Sequence, residues 1–180
     1  MRRLNETTAT AERALLASGY ERGPSSWWAN MGHSGQVLAE IELLRRLVND
    51  SHVKTACEIG FNAGHAAVAL LDGLQTNLVE FDLLALPYSN ASRAALEAAY
   101  PGRTRFIAGK SQVEVPKYAA LVRQQLEPRC DLWFVDGDHT HGTLLDMKAA
   151  LSAASDGAII IADDCSPKHK PVQVIALDCT

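Results

Sequence analysis

The sequence is short of several things, and each lack removes a class of protein. No CxxC pair occurs among its four cysteines, Cys57, Cys130, Cys165 and Cys179. They are read as reduced core or strand-end thiols, with Cys165–Cys179 the one disulfide pairing to consider. No continuous apolar run is long enough for a signal or membrane segment, and the opening MRRLNETTATAERALL is broken by polar residues throughout. The expectation is a cytoplasmic protein with no membrane partner. No basic excess exists: the 180 residues carry a net charge of −4. The local clusters Arg2-Arg3, Arg45-Arg46 and Lys168/Lys170 read as solvated faces, so no nucleic-acid partner is expected. Neither GxGxxG nor GxxxxGK[ST] appears, which argues against a dinucleotide fingerprint and a triphosphate loop. Repeats, low-complexity tracts and obvious linkers are missing too.

What is present is an alternation of short apolar runs and helix-length segments. Residues 5–18 read as a helix stopped by Gly19, followed by a loop, ERGPSSWWANMGHSGQ. Its Trp27 and Trp28 either line a substrate pocket or plug a domain edge or an interface. Residues 1–34 are therefore taken as an N-terminal helix and cap, and 35–180 as the core of a single domain. Within the core, Val37, Leu38, Ile41, Leu44, Leu47 and Val48 recur at helical spacing. Strands are expected at 53–58, 78–82 and 105–108, with helices at 63–74, 90–100 and 116–126. Pro116 is read as lying in the first turn of the last of these helices. Asp131 to Cys165 then reads as strand (LWFV), helix (140–154) and strand (AIII), and 172–177 as a final strand. Strands of four to six residues separated by helices predict an α/β fold with a parallel sheet and right-handed crossovers.

In such a sheet, ligands bind at the carboxyl ends of the strands, and the chemistry-bearing residues fall there. Glu58-Ile-Gly60-Phe61-Asn62-Ala-Gly64 follows one strand and opens a helix. Its glycines either bring the backbone close to a ligand or make a plain strand-to-helix turn. Asp82 ends the next strand, where a carboxylate can take both hydroxyls of a ribose or merely form a turn. The cluster Asp136-Gly-Asp138-His139-Thr-His141 has three readings: a solvated turn with a helix cap, a zinc pair of His139 and His141, or one carboxylate for a hard cation. Asp136, Asp163 and Asp164 all end neighbouring strands, whose tips lie about 5 Å apart. Three carboxylates so crowded repel one another without a cation, and this favours a metal site.

These segments, taken in order, resemble a class I S-adenosylmethionine-dependent methyltransferase of the metal-dependent catechol O-methyltransferase type. The resemblance runs from about Met31 to Cys165. MGHSGQ resembles that family's Gly-Gln segment, EIGFNAGHAAVAL its first cofactor motif and VEFD its ribose-binding strand end. IAGKSQVEVP resembles its G-x-S-Q turn, and DLWFVDGDH and IIIADDC its two metal-bearing strand ends. The DGDH form also resembles macrolide-sugar methyltransferases and the cephalosporin hydroxylase-like group.

The resemblance implies a Rossmann-like doubly wound, mostly parallel sheet and an S-adenosyl-L-methionine cofactor. It implies that Glu58, Gly60, Phe61, Asn62 and Gly64 form the turn and hold the methionine part, that Asp82 binds the ribose, and that Ser111 and Gln112 flank the adenine. It further implies that Asp136, also beside the cofactor, joins Asp163 and Asp164 in binding Mg²⁺ or another divalent cation. His139 becomes the general base for methyl transfer to a hydroxyl of a small molecule. Imidazole titrates near pH 6.5, so it can take a proton at neutral pH without strong tuning. Two features depart from the family pattern. Gly137 stands where the family often has a bulky polar residue beside the adenine. After Cys165 only Ser166 to Thr180 follow, too few for the usual helix and antiparallel pair. The C-terminal strand pair is thus expected to be shortened: the chain is a truncated or naturally short form, or a second copy in a homo-oligomer covers the sheet edge. That shortness keeps open an inactive cofactor-binding module, while the acid set and His139 favour an enzyme.

Overall fold

The computed structural model describes residue 13 and residues 37–50, 52–137, 142–163 and 173–176. The expected N-terminal helix, apart from Arg13, lies outside them. So do the Trp27–Trp28 loop, the MGHSGQ segment, Asp138, His139, His141, Asp164, Cys165 and Cys179.

The described elements alternate as expected. They are α1 (Leu38–Asp50), β1 (Thr55–Ile59), α2 (His65–Leu70), β2 (Asn77–Asp82), α3 (Ser89–Ala99) and β3 (Thr104–Ala108). Then come α4 (Ser111–Arg123), β4 (Cys130–Val135), α5 (Gly142–Leu151), β5 (Ala154–Ala162) and β6 (Gln173–Ala176). One sheet forms in the order β3-β2-β1-β4-β5-β6. The first five strands are parallel, and β6 runs antiparallel to β5. Strand order reverses between β1 and β4, so the topological switch point lies at their tips.

Side-chain parity explains why both faces are covered. On one face Ala56, Leu78, Leu132, Phe134 and Ile161 pack under α1, α2 and α3. On the other, Ile59, Val79, Phe81, Trp133, Val135 and Ile160 pack under α4 and α5. Strands buried on both faces read as continuous apolar runs rather than alternating ones, which is why LWFV and AIII stood out. Helix α2 is short and buried along Ala66 to Leu70, and its small alanines let it lie close to the sheet. On the opposite face, Phe81 stacks on Trp133 with ring centroids 5.8 Å apart and meets Tyr118 edge-on at 5.4 Å.

The base of the sheet is sewn by Asp131. Its Oδ2 accepts from the backbone N–H groups of Lys54 at 2.9 Å and Thr55 at 3.0 Å. Its Oδ1 accepts from the Ser155 hydroxyl at 2.8 Å. One carboxylate thus joins the starts of β1, β4 and β5.

Three expectations need correction. Helix α4 begins at Ser111, not at Pro116, because the Lys110 carbonyl accepts from Val113 and Glu114 and winds the first turn early. Pro116 therefore lies inside the helix, where it withholds the N–H that the Gln112 carbonyl would otherwise receive. Helix α5 stops at Leu151, and β5 starts at Ala154. Between the pairs Cys130↔Ala154 and Leu132↔Ile159 the register shifts, and Gly157 at φ +75° lets β5 absorb the extra residues as a bulge. Third, Cys57 and Cys130 are joined in a disulfide. Their separation in sequence points to separate reduced thiols, but neighbouring β1 and β4 bring their Cα atoms to 5.9 Å. The bond also removes the cysteine argument for a reducing compartment. The final strand expected at 172–177 is present as β6, antiparallel to β5 in the register Ile159↔Ala176 to Ala162↔Gln173. Among the described residues, no helix is long and apolar enough to cross a membrane.

Candidate active site at the β1–β4 switch point

The tips of the strands are tied into one rim. Gly60 donates its N–H to Phe81 O at 3.0 Å, Asp136 to Ile59 O at 2.8 Å, and Asp163 to Val135 O at 3.0 Å. Gly60 has φ +102°, and a Cβ there would lie 2.2 Å from Asp136 O. Only glycine lets the turn after β1 lean against the tip of β4 in this way. Gly64, at φ +88°, caps α2, and Asn62 at φ +47° takes a left-handed conformation that asparagine tolerates better than most residues.

Asp82 holds this turn from the next strand. Its Oδ2 accepts from Phe61 N–H at 2.9 Å and its Oδ1 from Leu84 N–H at 2.5 Å. It forms a turn, as a strand-end aspartate does, and each oxygen keeps a second lone pair for another donor. Tyr88 pins the turn from the other side by donating its hydroxyl to Asn62 Oδ1 at 2.6 Å. Burial, then the Asp82 charge, raises the Tyr88 pKa, so the phenol stays a donor.

The cleft so formed is lined by Glu58, Gly60, Asn62, His65 and Asp136 among others. Glu58 is 1% exposed, and its Oε2 has no hydrogen-bond partner. Beside it in register on β2 stands Glu80, which is fully buried. Burial raises the Glu58 pKa well above the usual carboxylate range, followed by the adjacent Glu80 and then Asp82 and Glu40. Burial also pushes Glu80 up to about 8, partly offset by hydrogen bonding from Glu58 and helped by the Asp82 charge. The two carboxyls interact closely, although neither Glu80 oxygen makes a well-formed hydrogen bond.

Ser111 and Gln112 stand in the first turn of α4. Gln112 Nε2 donates to Asp146 Oδ1 of α5 at 2.9 Å, and Asp146 is fully buried. With the amide nitrogen turned to Asp146, the amide oxygen of Gln112 points the other way. At Gly137 a Cβ would meet Ile59 Cγ2 at 2.8 Å, so this departure from the family pattern has a local steric counterpart.

The structure therefore brings Glu58, Gly60, Phe61, Asn62, Gly64, Asp82 and Asp136 to one rim. Asp163 follows Asp136 on the adjacent strand tip, one step beyond the register pair Val135↔Ala162. Ser111 and Gln112 flank the rim at the start of α4. His139 and Asp164 lie outside the described residues. Among the described residues, no group of three His, Cys, Asp or Glu side chains converges to hold a metal. Four neighbours escaped the sequence reading. Glu80 breaks an otherwise apolar strand, a signal that was legible. Glu40, buried on α1, Tyr88 and Asp146 reach the site only through the tertiary fold, and no local pattern marks them.

The sheet order, the switch-point cleft and the glycine turn define the fold of class I S-adenosylmethionine-dependent methyltransferases. Residues 57–165 match the family model described as "Methyltransferase domain", and the chain belongs to that family. No curated protein matches. Solved structures with the same fold include cofactor-bound Rv0187 from MTB, 23% identical, covering 88% of this chain and 65% of that one, with TM-score 0.64. The O-methyltransferase from Bacillus cereus in complex with SAH is 20% identical, covering 86% and 66%, with TM-score 0.64. CalS11, a TDP-rhamnose 3'-O-methyltransferase of calicheamicin biosynthesis, is 20% identical, covering 94% and 83%, with TM-score 0.58. This chain thus spans about two thirds of the length of the first two.

Proposed function

We propose that this chain is the cofactor-binding and catalytic core of an S-adenosylmethionine-dependent O-methyltransferase that acts, with a divalent cation, on a hydroxyl of a small molecule. The observation that carries the reading is the glycine turn. It is held by Asp82, leans on the Asp136 tip, and lines a cleft with a buried, unpartnered oxygen of Glu58. A buried orphan acceptor of this kind calls for a donor from a ligand, and the α-ammonium group of the methionine part is one. The free lone pairs of Asp82 suit ribose hydroxyls, and the Gln112 amide oxygen, turned outward by Asp146, suits the adenine amino group.

Asp136 and Asp163, on adjacent strand tips, offer an all-oxygen donor pair that fits a hard cation such as Mg²⁺, with Asp164 as the third ligand. When bound, the cofactor supplies an electrophilic methyl group and the cation stabilises charge on the acceptor oxygen. The protein's part is to bind, orient and move a proton. The rim holds the two reactants together, and His139 takes the proton of the acceptor hydroxyl and returns it to solvent.

Calorimetric titration with S-adenosylhomocysteine, followed by a methyl-transfer screen against catechols, flavonoids and sugars with and without Mg²⁺, tests this. Expected are cofactor binding and transfer that a chelator abolishes, with Asp163→Ala losing transfer while retaining binding. His139→Ala should lose transfer but not binding. Binding without turnover on every acceptor would instead support a cofactor-binding module of the same fold.

A further inference from the structure

Glu58 and Glu80 are an unusual feature for the centre of a fold. They sit in register on adjacent strands, their side chains on the same sheet face, 1% and 0% exposed. Their register neighbours on the outer sides are Phe134 on β4 and Phe106 on β3. The charged groups around them are Glu40 from α1, Asp82 farther along β2, and His65 from α2 at the cleft wall. Arg93 of α3 is engaged over the Phe106 ring at 5.0 Å. The charges that raise Glu58 are negative: Glu80, then Asp82 and Glu40. Two carboxylates in such a place cannot both be ionised unless a cation arrives. Glu58 lines the cleft and has Oε2 unpartnered; Glu80, both of whose oxygens are likewise unpartnered, is not among the lining residues.

We propose that Glu58 and Glu80 form a proton-holding pair that couples filling of the cofactor cleft to release of a proton, the ligand's α-ammonium group replacing the proton that the pair keeps in the empty site. The inference rests on the cofactor reading above and adds Glu80 to it as a positioning residue that sets the charge of Glu58. The carboxyl proton leaves to solvent, the ammonium group keeps its own, and the pair ends with the negative charge that the ammonium group matches. Affinity then rises with pH while the empty pair is protonated, by up to about tenfold per pH unit for one proton released. The raised pKa values of both groups agree with this.

The test is titration calorimetry of the full chain at pH 7 in phosphate and in Tris, whose different ionisation heats report protons exchanged. S-adenosylhomocysteine should release about one proton per site. 5'-Methylthioadenosine, which has no α-ammonium group, should bind more weakly and release none. In Glu80→Gln, binding should persist, and release at pH 7 should drop severalfold and reappear at lower pH, which loss of a merely structural side chain would not produce. S-adenosylhomocysteine binding to wild-type protein with heats equal in the two buffers from pH 6 to 8 overturns the pair and leaves the cofactor reading standing. Equal proton release with both ligands overturns the role given to the ammonium group. Failure of a folded chain to bind either ligand overturns the cofactor reading and this inference with it.

Discussion

Asp131 and Glu58 lie at opposite ends of the same pair of neighbouring strands. At the base, every acceptor contact of Asp131 goes to a protein donor: two backbone N–H groups and a hydroxyl. At the top, Glu58 is more deeply buried and keeps an oxygen with no partner, next to a second buried carboxyl. A carboxylate whose hydrogen bonds are all made inside the protein stabilises the fold. One that is buried and left wanting costs stability, and persists where a ligand completes it. Burial alone would have ranked the two the wrong way round, because the less buried aspartate is the structural one.

The largest expected effect tests the top of the sheet. Gly60→Ala would drive a Cβ into the Asp136 carbonyl and demand a left-handed backbone. S-adenosylhomocysteine affinity, measured by calorimetry, should fall at least about 100-fold, equivalent to roughly 3 kcal/mol. Near-native affinity would show that the turn is not part of the cleft. At the base, Asp131→Ala should cost about 2–3 kcal/mol in chemical denaturation, because it strands donors that a charged acceptor now serves. Cofactor affinity of the folded variant should stay within about twofold, since 0.4 kcal/mol is the most that a distant base mutation is expected to pass on. A large affinity loss there would erase the distinction between the two ends.

The third prediction concerns pH. Folded Glu58 and Glu80 hold protons that the unfolded chain has lost above about pH 4.5. With more protons bound in the folded state, the pair's contribution to stability is fully present below that pH and is lost as pH rises through about 8, the value for Glu80. Ligand-free protein should therefore melt roughly 5 °C lower at pH 8.5 than at pH 5.5, and Glu80→Gln should flatten that slope. A wild-type slope of the opposite sign would contradict the raised values. The smallest effect belongs to Asp146→Asn, which can present an amide where Gln112 needs an acceptor. Affinity for S-adenosylhomocysteine should weaken about three- to tenfold, or roughly 1 kcal/mol, with less change for a ligand whose base lacks the amino group.

Much of this was legible in the chain itself. The apolar runs of β1, β2 and β4, buried on both faces, announce themselves, and the glycine turn, Asp82 and the acids at the ends of β4 and β5 follow from where those runs stop. Helix α4 was misplaced because Pro116 resembles a first-turn proline, and only the Lys110 carbonyl bonds reveal the earlier start. The β5 bulge was hidden because Ser155-Asp156-Gly157 reads as a turn. The Cys57–Cys130 bond and the Tyr88–Asn62 contact depend on which elements become neighbours, and local sequence does not encode that. Glu80 was the exception. A charged residue inside an apolar strand, two positions before the strand-end Asp82, is a local signal in the sequence itself.

The contact between Gly60 and the Asp136 carbonyl has a consequence for any attempt to redesign the protein. With no room for even a methyl group between them, the turn proposed to hold the cofactor and the strand tip proposed to present an acid to the acceptor cannot be adjusted separately. They behave as a single casting. A new acceptor preference would therefore have to be built from the walls around this rim, and a library that randomises the rim itself should yield mostly inactive clones.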